Sequence, residues 1–266
     1  MTEDGTPSFY FGLVCEGPAD ARTVKPLLRR VYEAEIDWLR GRFDEFVGWT
    51  GVKPHHDFTK WSGSDGVHEL AKQRNITAFG DFTGQEGRAE ALQAKKALRL
   101  FISETLRREE NFELLVVVLI RDTDGNTSCR AGMEQARKDS NTNFEIVLGL
   151  PHPMRECWVL TGLSAEDDED REHLEDLRRE LGFDPTEEAH RLTARTRTAK
   201  KNPHRVVERL IDESGPAKTE RENRAISNLS IDPATHSGEK TGLKDFLEDI
   251  LTRIPAELDD TQNHRG

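Results

Sequence analysis

The chain has 266 residues and three cysteines, with 38 Lys and Arg against 50 Asp and Glu, a formal net charge of −12. That length can bury a substantial core, and the absence of a signal peptide or of any apolar run near membrane-span length predicts a cytoplasmic protein with no membrane partner. Cys15, Cys129 and Cys157 are scattered without a C-x-x-C pair, which argues against structural zinc, and the acidic balance opposes non-specific attraction to nucleic acid over the whole surface.

Residues 1–8 are polar and read as disordered. Phe9 to Cys15 is the first expected strand, and it stops at Glu16-Gly17-Pro18-Ala19-Asp20. A helix is expected from about Ala19 to Glu35, either kinked at Pro26 or beginning properly at Lys25. From Asp37 to Asp81 the pattern weakens; His55-His56-Asp57 reads as polar loop, because adjacent residues rarely chelate together. Val67 to Arg74 reads as a short helix. Gly87 to Glu110 reads as a long one that crosses the sheet and delivers the chain to the next strand.

Leu114 to Gly125, LLVVVLIRDTDG, is the central stretch. Its apolar run is that of a strand buried on both faces, as in a parallel sheet covered by helices. Asp122 and Asp124 follow its carboxyl end, where open α/β sheets bind ligands, and their spacing turns both to one side if the chain stays extended. If the first strand is its parallel neighbour, Glu16, Asp122 and Asp124 meet at one rim. Carboxylates so close repel unless a cation lies between them, and Mg²⁺ with its preference for oxygen ligands fits.

A helix capped by Ser128 and a third strand from Phe144 to Leu150 follow. The segment from Met154 starts another helix, in which Glu156 is a fourth rim acid, a partner of Arg155, or an exposed first-turn acid. Glu166 to Asp170 reads as a solvated acidic run. Arg191 to Arg209 is the one basic segment, with Arg191, Arg195, Arg197, Lys200, Lys201 and Arg205 suited to phosphate contacts and Glu208 its single acid. Helices at His204 to Ser214, Lys218 to Asn228 and within Gly238 to Ile254 close the fold, and 255–266 reads as a tail. The expected organisation is an α/β core over 9–165 with a central, mainly parallel sheet flanked by helices, and a helical extension over 166–254.

The combination of Glu16-Gly17 and Asp20 after the first strand with Asp122-Thr123-Asp124 after a later one resembles the Toprim domain, the Rossmann-like metal-binding module of topoisomerases, bacterial primases and OLD-type nucleases. More narrowly, CEGPADARTVKPLL, LIRDTDGN, PMRECWVL and TGLKDFLEDILTRI resemble a Toprim-like group of bacterial proteins that often accompany anti-phage defence or ATPase partners. The resemblance covers residues 1–165 and the last helix. It implies Glu16 as metal ligand or general acid/base, Asp122 and Asp124 as ligands of Mg²⁺ or Mn²⁺, and Asp20 and Glu156 as further metal-site acids. It also implies a basic residue near the scissile phosphate; no lysine motif matches, leaving Lys200 or Lys201 as candidates. The implied function is metal-dependent nuclease action on nucleic acid, DNA before RNA, with an ATPase partner or self-association. The rivals are a non-catalytic binding or scaffold subunit of an ATPase-containing complex, and a phosphatase of the haloacid dehalogenase type, for which the D-T-D-G motif stands unusually late in the chain.

Overall fold

The computed structural model of the chain describes residues 7–78, 86–108, 112–211, 215–235 and 240–259. The segment up to residue 6, expected to be disordered, and the end of the tail beyond 259 lie outside these residues, as do the expected helical ends at 109–110, 212–214 and 238–239.

The three apolar runs form strands β1 (Phe9–Cys15), β4 (Leu114–Ile120) and β5 (Glu145–Gly149). All seven residues of β4 are buried. Two further strands, β2 (Val47–Thr50) and β3 (Thr59–Lys60), lie between Asp37 and Asp81, where the sequence pattern weakens, on either side of the His55-His56-Asp57 loop. Both pair with β1, Phe9 opposite Val47 and Val14 opposite Thr59, so the sheet is parallel throughout in the order β2-β1-β4-β5 with β3 beside β2 on β1. VGWT is too short and too broken by Gly48 to announce itself; the edge of β1 supplies the pairing.

Eleven α-helices surround the sheet among the described residues: α1 (Pro18–Glu35), α2 (Phe43–Phe46), α3 (Val67–Gln73), α4 (Arg88–Thr105), α5 (Ser128–Lys138), α6 (Glu156–Gly162), α7 (Asp168–Leu181), α8 (Pro203–Leu210), α9 (Gly215–Asn228), α10 (Leu243–Leu251) and α11 (Ala256–Asp259). Strand side chains alternate between faces. Phe11, Leu13, Val116, Val118 and Val147 pack with α1, α6, α9 and α10, whereas Val14, Val117, Leu119 and Leu148 pack with α3, α4 and α5. A satellite cluster joins Cys157 and Leu160 of α6 to α7 and α8. Helices α9 and α10 therefore share the core of β1, and Leu258 in α11 is buried there and accepts a 3.0 Å hydrogen bond from the Trp38 indole.

Helix α1 runs unbroken from Pro18, through Pro26. Pro18 occupies a first-turn position where its missing N–H costs nothing. Asp20 accepts from the backbone N–H groups of Glu16 at 2.8 Å and Gly17 at 3.0 Å. Arg30 ties α1 to the end of α9 by donating to the carbonyls of Ile226 at 3.0 Å and Leu229 at 2.7 Å. On the other side of α9, Gly162 lies against the Ala225 carbonyl so closely that any Cβ would collide.

Candidate functional site

Because Val14 stands beside Leu119 in the parallel pair, the residues that follow β1 and β4 leave the sheet at one edge. The β4 ladder continues past the strand. The N–H of Arg121 donates to Gly149 at 3.0 Å, that of Thr123 to Pro151 at 3.0 Å and that of Asp124 to Pro153 at 2.9 Å. The Thr123 hydroxyl lies 2.9 Å from His152 Nδ1, and the strand-like alternation ends at Asp124. Asp124 itself adopts φ +49°, and Gly125 with φ +71° completes the turn.

The acids at this edge share one electrostatic environment. Burial pushes the Asp122 carboxyl well above its ordinary range; Glu156, Glu16 and Asp20 push further, opposed by a 2.9 Å hydrogen bond from the Arg155 N–H to Asp122 Oδ1. Glu16 is also raised. Desolvation of its carboxylate is the largest cause, although the residue reaches solvent, and Asp20, Asp124 and Glu156 add to it against Arg121. Asp20 is raised by burial as well, with the Gly17 and Glu16 N–H groups and Arg155 opposing.

Arg155, itself buried, is the internal counter-charge. Its guanidinium lies 3.0 Å from Glu156, 3.2 Å from Glu222 and 3.8 Å from Asp20, and donates to the Thr23 hydroxyl at 3.2 Å. His204 Nδ1 approaches Glu156 Oε1 at 3.1 Å. Glu156 is thus a fourth acid of the cluster and also the partner of Arg155; it is buried, not an exposed first-turn residue. Asp20 has one oxygen on two backbone donors and the other facing Arg155, so it shapes the loop carrying Glu16.

Glu16, Asp122 and Asp124 remain as the acids of the cluster with no ion-pair partner among the described residues; Glu16 and Asp124 are exposed, and Asp122 accepts the Arg155 N–H. Their all-oxygen donor chemistry and mutual repulsion suit a hard divalent cation. Among the described residues, no three His, Cys, Asp or Glu side chains stand ready-spaced to hold a metal ion. Glu16 and Asp124 are exposed, so they have room to turn toward one.

The basic segment divides. Arg195 donates to the Asp124 carbonyl at 3.0 and 2.5 Å and so reaches the rim. Three others are paired in space by acids the linear segment does not contain: Arg191 with Glu188 at 3.0 Å, and Arg205 and Arg209 with Glu180. Arg197 pairs with Glu208 at 2.5 Å. The expectation of a basic loop opposed by one acid is corrected accordingly. Lys200 and Lys201 are exposed, the latter 5.7 Å from the Phe183 ring, and neither makes a hydrogen bond or ion pair with the rim acids. His55 and His56 are exposed, and Asp57 pairs with Lys25 at 3.0 Å.

Sequence reasoning did not single out Arg121, His204 or Glu222. Arg121 directly precedes the D-T-D motif, a signal that was available; His204 and Glu222 arrive from α8 and α9, whose placement no local pattern fixes. Beside the acids opens a cleft of about 260 Å³ lined by Arg22, Arg155, Glu156, Arg197, His204 and Lys218, among others. All three cysteines are free and buried, with burial pushing the Cys15 thiol up to about 12 and the Cys129 thiol up to about 11, so they pack and do not react. No helix among the described residues is long and apolar enough to cross a membrane. No family model, curated protein or solved structure matches the chain.

Proposed function

We propose that the chain is a Toprim-type nuclease dependent on Mg²⁺ or Mn²⁺, hydrolysing phosphodiester bonds of nucleic acid as one component of a bacterial anti-phage defence system. The observation that carries the reading is the meeting of Glu16, Asp122 and Asp124 at one sheet edge, with the Glu16 carboxyl pushed up by burial, Asp20 and Asp124, and that of Asp122 by burial, Glu156 and Glu16. Glu16, Asp122 and Asp124 would hold the cation, which when bound activates water and offsets charge on the scissile phosphate. The water oxygen bonds to phosphorus as the ester P–O bond breaks, and the departing oxygen takes up a proton. Glu16, exposed at the rim, is placed to accept the water's proton on an oxygen it does not give to the cation. Arg121, next to Glu16, and Arg195, held on the Asp124 carbonyl, supply positive charge for the phosphate.

Incubating the purified chain with plasmid, linear DNA and tRNA in Mg²⁺ or Mn²⁺ tests this. Cleavage is expected in wild type and at least a hundredfold loss in Glu16→Ala and in Asp122→Ala; a wild type that cuts none of the three refutes it. One observation favours a second reading, a non-catalytic subunit of an ATPase-containing complex: Arg155 already neutralises Asp20, Glu156 and Glu222 from within. Binding of nucleic acid or of an ATPase without cleavage would support that reading.

A further inference from the structure

The cleft beside the acids does not end at Arg22. That residue also lines a second cleft of about 460 Å³, which continues along α1 past Lys25 and Arg29 and along α9 past Asn223 and Ser227. On α1, Arg22, Lys25 and Arg29 stand at i, i+3 and i+7, one row about 10 Å long that spans two or three phosphates. On α9, Thr219, Asn223 and Ser227 stand at i, i+4 and i+8, a facing row of neutral hydrogen-bonding side chains. Half-buried Phe58 lines the groove, and the Lys25 ammonium lies 5.3 Å from the Trp49 ring.

In a chain of net charge −12, the α1 side of this groove concentrates cations, Arg22, Lys25 and Arg29. Six cations line the groove, Arg22, Lys25, Arg29, Arg155, Arg197 and Lys218, with the acids Asp57, Glu156 and Glu222, while Glu208 pairs with Arg197 and Lys218 and Asp44 with Arg29 from its margin. Glu156 and Glu222 are taken by Arg155. The Lys25–Asp57 and Arg29–Asp44 pairs, both 3.0 Å, have highly exposed acids and are weak enough to yield to a phosphate. The walls are packed helices tied together by Arg30, so the groove does not widen to admit a duplex.

We infer that the α1–α9 groove is the track of a single strand of nucleic acid. Its phosphates lie on the Arg22–Lys25–Arg29 row, its bases toward α9 and Phe58, and the strand leads to Glu16 and Asp20 at the start of α1. The inference rests on the nuclease reading for what happens at the rim, and on the groove alone for binding.

Fluorescence anisotropy of a labelled oligothymidine of about 16 nucleotides, in Ca²⁺ to hold back cleavage, tests it. The double variant Lys25→Glu/Arg29→Glu is expected to bind at least tenfold more weakly. Its plot of log affinity against log salt should flatten by about 1.4, two phosphate contacts at roughly 0.7 each. Lys72→Glu/Lys138→Glu, the same charge change on α3 and α5 across the sheet, is expected to stay within twofold of wild type. Lys25→Gln/Arg29→Gln, checked for an unchanged melting temperature, should show the same flattening should the glutamate pair unfold. Groove variants that bind like the control pair, a wild type that binds no strand, or equal competition by duplex or polyglutamate would each overturn the inference. Strand binding through the groove with no cleavage in Mg²⁺ leaves the groove standing and removes the nuclease. Cleavage that ignores the groove variants does the reverse.

Discussion

Arg155 and Arg197 both face carboxylates, yet they sit in opposite regimes. Arg155 is buried among Asp20, Glu156 and Glu222, where weak screening makes each pairing strong and an unpaired charge costly. Arg197, 69% exposed, pairs with Glu208 in water and exchanges that partner easily. The same division separates the acid rim from the basic segment Arg191 to Arg209. The segment is denser in cations, but most of them form surface pairs, whereas the rim's few charges are desolvated and shift one another's proton affinities. Burial, more than linear charge density, decides where charge can do chemistry.

Removing the rim's counter-charge should have the largest effect. Arg155→Met is expected to lower stability by about 3–5 kcal/mol, the usual result of stranding buried acids, as read by urea unfolding at neutral pH. A loss no larger than that of Arg197→Ala would place Arg155 in the same class as Arg197.

Asp122→Asn sharpens the comparison through pH. Folding raises the Asp122 carboxyl above its ordinary value of 3.8, so the folded state favours the protonated acid. The stability this contributes is present below 3.8 and is lost as pH rises through the folded-state value; above that, ionised Asp122 opposes folding. Asparagine imitates the neutral acid and can still accept the Arg155 N–H. The variant should therefore melt a few degrees above wild type at neutral pH without metal, with the advantage vanishing as pH falls below the ordinary aspartate range. A variant less stable than wild type at neutral pH would mean that Asp122 is held ionised. The smallest effect is expected at Arg197→Ala, whose unfolding midpoint should coincide with that of wild type in the same experiment.

The rim was legible in the sequence for a physical reason. FYFGLVC and LLVVVLI are apolar runs ending at acids, so Glu16, Asp122 and Asp124 would emerge together if the two strands were parallel neighbours, and the structure makes them so. β2 and β3 escaped because four- and two-residue strands on the edge of β1 carry no periodicity of their own. The counter-charge escaped more instructively. Arg155 and Glu156 adjoin in sequence, but Glu222 reaches them from α9, 67 residues on, and that contact exists only because α9 packs between α1 and α6. Likewise Glu180 and Glu188, which pair with the basic segment, come from the chain before it.

The most direct test of the rim as a metal centre is calorimetric titration of Mg²⁺ and Mn²⁺ into wild type and into Asp122→Asn, with Lys138→Glu as a charge control. Saturable binding in wild type and in the control, abolished or at least tenfold weaker in Asp122→Asn, is the expected result. A wild type that binds neither ion, or an Asp122→Asn variant that binds as well as wild type, would contradict the account and leave the acids around Arg155 as a structural ion-pair network.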